Sequence, residues 1–138
     1  AFNQPLSFDT SSVTDMSQMF QGATAYDQPL SFDTSQVTDM KAMFNMSADD
    51  PDPCRRRLSF WSTFNSPVNF DTSSVISMSG MFQGASAFNQ PLNFDTSRVT
   101  DMSDMFQNAT AFDQPLSFDV SSVTDMSDMF KGAAKFNQ

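Results

Sequence analysis

Three sets of residues in this sequence could do chemistry. The first is acidic. All 16 acidic residues are aspartates, and one row of them recurs as Asp9, Asp33, Asp71, Asp95 and Asp119. Carboxylates stacked at the spacing of neighbouring strands, about 4.8 Å, repel one another, and a calcium ion between them would relieve the repulsion. The competing reading is local and is preferred here. Asp followed by Thr-Ser-Ser can accept its own downstream amide as an Asx turn, and no unit supplies the dense oxygen cluster and turn glycine of a dedicated calcium loop. The second set is the pair of glycan-acceptor sequons at Asn45-Met46-Ser47 and Asn108-Ala109-Thr110, both expected on exposed turns. The third is a compact group of unlike residues: Cys54, Arg55, Arg56, Arg57 and Trp61. Arg and Trp are favoured anchors of protein contacts, and an exposed Cys54 could crosslink chains. The alternative is a tolerated loop in which Leu58, Phe60 and Trp61 pack back onto the body of the protein.

Catalysis is not expected. The chain has no His and no Glu, a single thiol, and carboxylates in rows of like neighbours. No unlike pair of acids stands apart whose surroundings would set different proton affinities. No metal or cofactor is expected either. The net charge of −9 argues against a nucleic-acid partner, because the one basic run follows Asp49, Asp50 and Asp52 directly. No apolar run approaches the ~18 residues of a membrane-spanning helix. The chain begins at Ala1 without an initiator Met, which suggests a processed product or a window onto something longer.

What positions these residues is repetition. The phrase VTDMSDMF and its near-copies set a 24-residue unit, repeated over 1–24, 25–48, 63–86, 87–110 and 111–134. Residues 135–138 begin a sixth unit in the phase of residues 1–4, and a 14-residue insertion occupies 49–62. The whole of 1–138 thus reads as a single array. The period sorts the large apolar residues into rows that are expected to form the core. One aromatic row is Phe2, Tyr26, Phe64, Phe88, Phe112 and Phe136. A second is Phe8, Phe32, Phe70, Phe94 and Phe118, and a third is Phe20, Phe44, Phe82, Phe106 and Phe130. Two methionine rows follow: Met16, Met40, Met78, Met102 and Met126, then Met19, Met43, Met81, Met105 and Met129. Flexible thioethers pack well beside aromatic edges, so these methionines read as core and not as ligands.

Within a unit, Leu6-Ser7-Phe8-Asp9 alternates apolar with polar, the period of a strand, and Pro5 marks its first position. Ser12 and Asp15 form a capping-box-like pair. The three-residue spacing of Val13, Met16 and Met19 predicts a short 3₁₀ or helical turn. Gly22, Gly84 and Gly132, with Asn108 in the same row, are expected to be left-handed, whereas Met46 suits that conformation poorly and implies a rebuilt turn. The row Asn3, Asp27, Asn65, Asn89, Asp113 and Asn137 reads as a ladder that satisfies backbone groups. One unit alone cannot bury enough surface to fold, so stacking is required. The predicted fold is a leucine-rich-repeat-like solenoid, with one short parallel β-strand per 24-residue turn and short helical or 3₁₀ segments opposite.

The units resemble the BspA-like leucine-rich repeats, in the branch with the phrase F-N-Q-P-L-x-x-W-D-V-S-x-V-T-D-M-S-x-M-F. Asp119-Val120-Ser121-Ser122-Val123 follows that phrase closely, while Phe8 and its row stand where the branch usually has Trp. The resemblance spans all five units and implies a secreted or surface-displayed protein with an adhesive or interaction role. The first functional expectation is therefore a non-enzymatic extracellular structural or adhesive protein, part of a longer rod or a head-to-tail fibre. The alternative is a module that recognises a host or matrix protein through a sheet face or the insertion. Ice binding on the rows Thr10, Thr34, Thr72, Thr96 and Thr14, Thr38, Thr100, Thr124, or calcium binding on the Asp row, stands further off.

Overall fold

A computed structural model describes residues 2–47 and 62–138. Successive units lie on one another as layers, with corresponding residues in register. Asp15, Asp39, Ser77, Asp101 and Asp125 are joined in turn by parallel bridges, one bridge at each step. The 38-residue step from Asp39 to Ser77 keeps the same register as the 24-residue steps elsewhere, so the insertion does not shift the phase of the layers.

The bonding between layers follows from an alternation of amides. In the first unit the N–H groups of Met16, Gln18, Phe20 and Gly22 donate to the carbonyls of Asp39, Lys41, Met43 and Asn45 in the second, each at 2.9 Å. The amides between them stay within the layer. Met19 donates to Met16, Gln21 to Gln18 and Ala23 to Phe20, all three residues back. A helix would send every amide backward; here every second one turns across to the next layer. Left-handed residues interrupt the helical run and make this possible. Gln18, Ala42, Gly80, Asp104 and Asp128 occupy one row, with φ between 54° and 60°. Gly22, Gly84, Asn108 and Gly132 occupy a second, with φ between 58° and 74°. Met46 is absent from that second row, as its side chain predicts. It keeps its bond to the Gln83 carbonyl, and the chain turns by an Asx bond from the Ser47 amide to Asn45 Oδ1 at 2.8 Å.

The fold class expected from sequence is therefore corrected. The described residues contain no helix and no sheet, only isolated bridges, and a leucine-rich-repeat-type solenoid with a parallel strand in each turn is not what they build. The segments after Pro5 and its equivalents were expected to be the strands. Among the described residues they contribute one bridge, Leu30 to Val68. Proline removes one donor at the start of each segment, and the Asp that ends it captures the amide of the serine two residues on. Threonine side chains supply cross-layer bonds there instead: Thr34, Thr72 and Thr96 donate to the carbonyls of Asp71, Asp95 and Asp119, each at 3.0 Å. The expected capping box is replaced too. Asp15 accepts the Ser17 amide at 2.7 Å, and there is no helix to cap.

The core is a set of stacked spines. Rings Phe20, Phe44, Phe82, Phe106 and Phe130 follow one another at 5.4–5.6 Å and within 5–7° of parallel. The spine through Phe64, Phe88, Phe112 and Phe136 runs beside it at 4.1–4.5 Å from the nearest ring. Phe32, Phe70 and Phe94 are buried, as are Met16, Met40, Met43, Met78, Met81, Met102, Met105 and Met129. The rows are less buried in the first and last described layers. Phe2, Phe8 and Met19 in the first layer are exposed, as is Met126 in the last, while Phe118, Phe130 and Phe136 are half-buried. Among the described residues, each of these has a neighbouring layer on one side.

Candidate functional site

The polar residues of each unit are organised into ladders. Asn3, Asp27, Asn65 and Asn89 each offer Oδ1 to the backbone amide of the next residue in the row, at 2.9 Å. Asp113 does the same to Asn137 at 3.2 Å. These carboxamides and carboxylates do for the chain what a strand would do elsewhere, since each satisfies a backbone donor of the next layer.

The Asp9 row forms the expected Asx turns. In the first four layers the carboxylate accepts both the hydroxyl and the amide of the serine two residues on, at 2.7 Å and 3.0–3.1 Å. Asp119 accepts the Ser121 amide at 2.9 Å. The serine hydroxyl, then the serine amide, hold all five carboxyls below the usual carboxylate value. Neighbouring carboxylates oppose this weakly, Asp71 and Asp9 on Asp33 and Asp95 on Asp71 and Asp119. Asp15 and Asp125 are lowered in the same way by Ser17 and Ser127. Among the described residues no three or more His, Cys, Asp or Glu side chains are grouped to hold a metal ion.

The two sequons differ. Asn108 is exposed, as expected. Asn45 is half-buried, and its Nδ2, the atom a glycan would occupy, donates to Gln83 Oε1 at 2.7 Å. That bond begins a second polar ladder, continued from Gln83 to Gln107 at 2.8 Å. The first threonine row faces inward: Thr10, Thr34, Thr72 and Thr96 are buried, so these hydroxyls do not form the flat surface an ice-binding face needs. In the second row Thr14, Thr38 and Thr124 are exposed and Thr100 is half-buried, and Thr38, Thr100 and Thr124 point their hydroxyls back at the carbonyl of the preceding layer. Cys54, Arg55, Arg56, Arg57 and Trp61 lie outside the described residues.

A family model described as "Mycoplasma protein of unknown function, DUF285" matches residues 1–53 and 52–138. The chain belongs to that family. No curated protein and no solved structure matches it. The two matched segments of this DUF285 chain meet inside the insertion, so the first covers two units and the second covers three. No helix among the described residues is long and apolar enough to cross a membrane.

The feature of this DUF285 chain that the repeat phrase alone did not reveal is the direction of the bonds between its layers. At each step four amides donate to carbonyls of the next layer, while a bond runs the other way, from the Thr38 amide to the Thr14 carbonyl, Ile76 to Thr38, Thr100 to Ile76 and Thr124 to Thr100. Among the described residues, the carbonyls of Asp15, Ser17, Met19 and Gln21 receive no hydrogen bond. At the other end the amides of Met126, Asp128, Phe130 and Gly132 donate none. Among the described residues, the exposed large hydrophobic side chains are Phe2, Phe8, Met19, Ile76, Val120 and Met126. The left-handed row at Gln18, which allows the alternation of amides, carries a faint sequence signal in Gly80, Asp104 and Asp128.

Proposed function

We propose that this chain is a non-enzymatic structural or adhesive element displayed outside the cell, a spacer whose length is set by how many layers it contains. One observation carries the reading. Each step between consecutive layers repeats the same four backbone bonds and the same ring stack, so units add along a single axis. Such a one-dimensional body gains reach with each unit while its width stays constant. The likeness of the repeat phrase to BspA-like surface proteins supports an extracellular setting. The mixed surface of short polar ladders, Thr rows and carboxylates would serve adhesion along the length.

The test is to lengthen the array. Five further copies of residues 87–110, placed after residue 110, should extend the particle in small-angle scattering by roughly 24 Å, about 4.8 Å for each layer, at an unchanged cross-section. Growth in all dimensions, as for a compact globule, would refute the reading. Removal of the protein by protease treatment of intact cells tests the extracellular setting, and protection until lysis would count against it.

A further inference from the structure

We propose that Asn108 carries an N-linked glycan and that Asn45, in the other sequon, does not. The inference rests on the extracellular reading above and adds a modification site to it. Both residues stand in the acceptor motif, and the motif ranks them equally. Their surroundings rank them differently. At Asn45 both polar atoms of the side chain are bonded. Nδ2 donates to Gln83 Oε1 at 2.7 Å, and Oδ1 accepts the amide and the hydroxyl of Ser47 at 2.8 and 2.7 Å. A glycan is bulky and hydrophilic and belongs at a surface. On Asn45 it would break the bond that begins the Gln83–Gln107 ladder, at a half-buried position beside the next layer.

Asn108 has the opposite setting. It is exposed, and its Nδ2 donates to no group among the described residues. Its Oδ1 lies against Gly132, in the space that a side chain there would fill. Nδ2, on the other side of the same planar group, therefore faces away from that layer. Its neighbours in the left-handed row are Gly84 and Gly132, which have no side chain to crowd the stem of a glycan. Thr110, the third residue of the motif, is exposed too, with its hydroxyl on the Ser86 carbonyl at 3.3 Å. Stacking is untouched, because the Asn108 backbone amide keeps its bond to the Lys131 carbonyl. The glycan would leave the array sideways. The reaction is a group transfer. Nδ2 bonds to the anomeric carbon of an oligosaccharide carried on a polyprenyl diphosphate, the anomeric C–O bond breaks, Nδ2 gives up one proton and the diphosphate leaves. A transferase of the secretory route catalyses it, and this chain supplies only the acceptor.

The full chain, secreted from a eukaryotic cell behind an added signal sequence, provides the test. Transfer can precede folding, so the pool to assay is the folded, secreted protein. It should run as one glycoform whose added mass is removed by an amidase that releases N-linked glycans. That enzyme converts the acceptor to aspartate, and peptide mapping should find the conversion at Asn108 and not at Asn45. Asn108→Gly should abolish the mass shift. Glycine stands at this place in three other layers, so circular dichroism of that variant should match the parent. Thr110→Ala should abolish the shift without touching the acceptor residue, and Asn45→Gln should keep it in full. Secreted protein without a glycan at Asn108, or folded protein with one at Asn45, overturns the inference. Proteolysis of intact cells that make the protein is independent of the glycan. If it removes a chain that bears none, the extracellular reading stands and this inference alone falls.

Discussion

Three glycines in the same left-handed row separate the cost of a backbone conformation from the cost of a contact. Gly22, Gly84 and Gly132 have φ of +70°, +71° and +74°, so an alanine meets the same torsional penalty at each, about 1–2 kcal/mol. Reduced freedom of the unfolded chain returns about 0.4–1 kcal/mol of that. What differs is the surroundings of the new Cβ. At Gly22 it would meet nothing within 4 Å. At Gly132 it would press on Asn108 Oδ1, the movable end of a side chain. At Gly84 it would lie 2.6 Å from the Ser47 nitrogen and 2.7 Å from the Met46 carbonyl carbon, which are backbone atoms of the adjacent layer. Forcing two layers apart should add about 1–3 kcal/mol, by analogy with overpacked cores. The expected destabilisation is roughly 1 kcal/mol for Gly22→Ala and roughly 2–4 kcal/mol for Gly84→Ala, with Gly132→Ala between. Asn108 shows that an interior layer tolerates a side chain at this φ, so the excess at Gly84 is attributable to contact. Urea denaturation followed by circular dichroism measures all three, and amide exchange at Met46 and Gly84 localises the effect. Equal losses at Gly22 and Gly84 would refute the layer-to-layer approach described here.

The hydroxyl of Tyr26 is buried with no hydrogen-bond partner among the described residues, at a position where the other units carry Phe. Tyr26→Phe should raise stability by about 1–2 kcal/mol, read as a higher urea midpoint, and a lower midpoint would mean that the hydroxyl is satisfied in solution. Thr72→Val should cost about 1–2 kcal/mol through loss of the bond to the Asp95 carbonyl, whereas Thr10→Val, whose hydroxyl is buried with no partner among the described residues, should be neutral or stabilising. The same denaturation assay compares them, and equal losses would contradict the threonine ladder. Serine hydroxyls, then serine amides, lower the folded proton affinity of the Asp9 row, so these bonds contribute stability that is fully present above the ordinary carboxylate value. It is lost as pH falls through the lowered folded value. The melting temperature should therefore be flat from neutral pH to about 5 and fall below about 4, and Ser73→Ala should move the NMR titration of Asp71 upward. An unmoved Asp71 would sink that assignment.

The unit length, the rows and the turn at Met46 were legible because each is written in side-chain type. A 24-residue step brings like residues together wherever the backbone runs, so Phe44, Phe82 and Phe106 had to stack. The element types were not legible. Alternation in Leu6-Ser7-Phe8-Asp9 says which side chains face inward, and an extended segment without strand partners shows the same alternation. The spacing of Val13, Met16 and Met19 likewise fits a helical turn and a layer in which only every second amide bonds backward. The choice is made at Gln18 and its row, where Gln, Ala, Gly and Asp share a left-handed conformation but little chemistry. The two sequons shared a motif but not an environment, because Asn45 lies beside Gln83 in the next layer and Asn108 does not end in such a ladder.

The alternation of amides is the claim on which the layers depend. It is measured most directly by NMR couplings transmitted through hydrogen bonds. The nitrogen of Phe82 should couple to the carbonyl carbon of Met105, and that of Gly80 to Ser103, while Met81 couples to Met78 within its own layer. Couplings from Phe82 and Gly80 to carbonyls three or four residues earlier would mean a helix in place of the cross-layer ladder, and the account would be wrong.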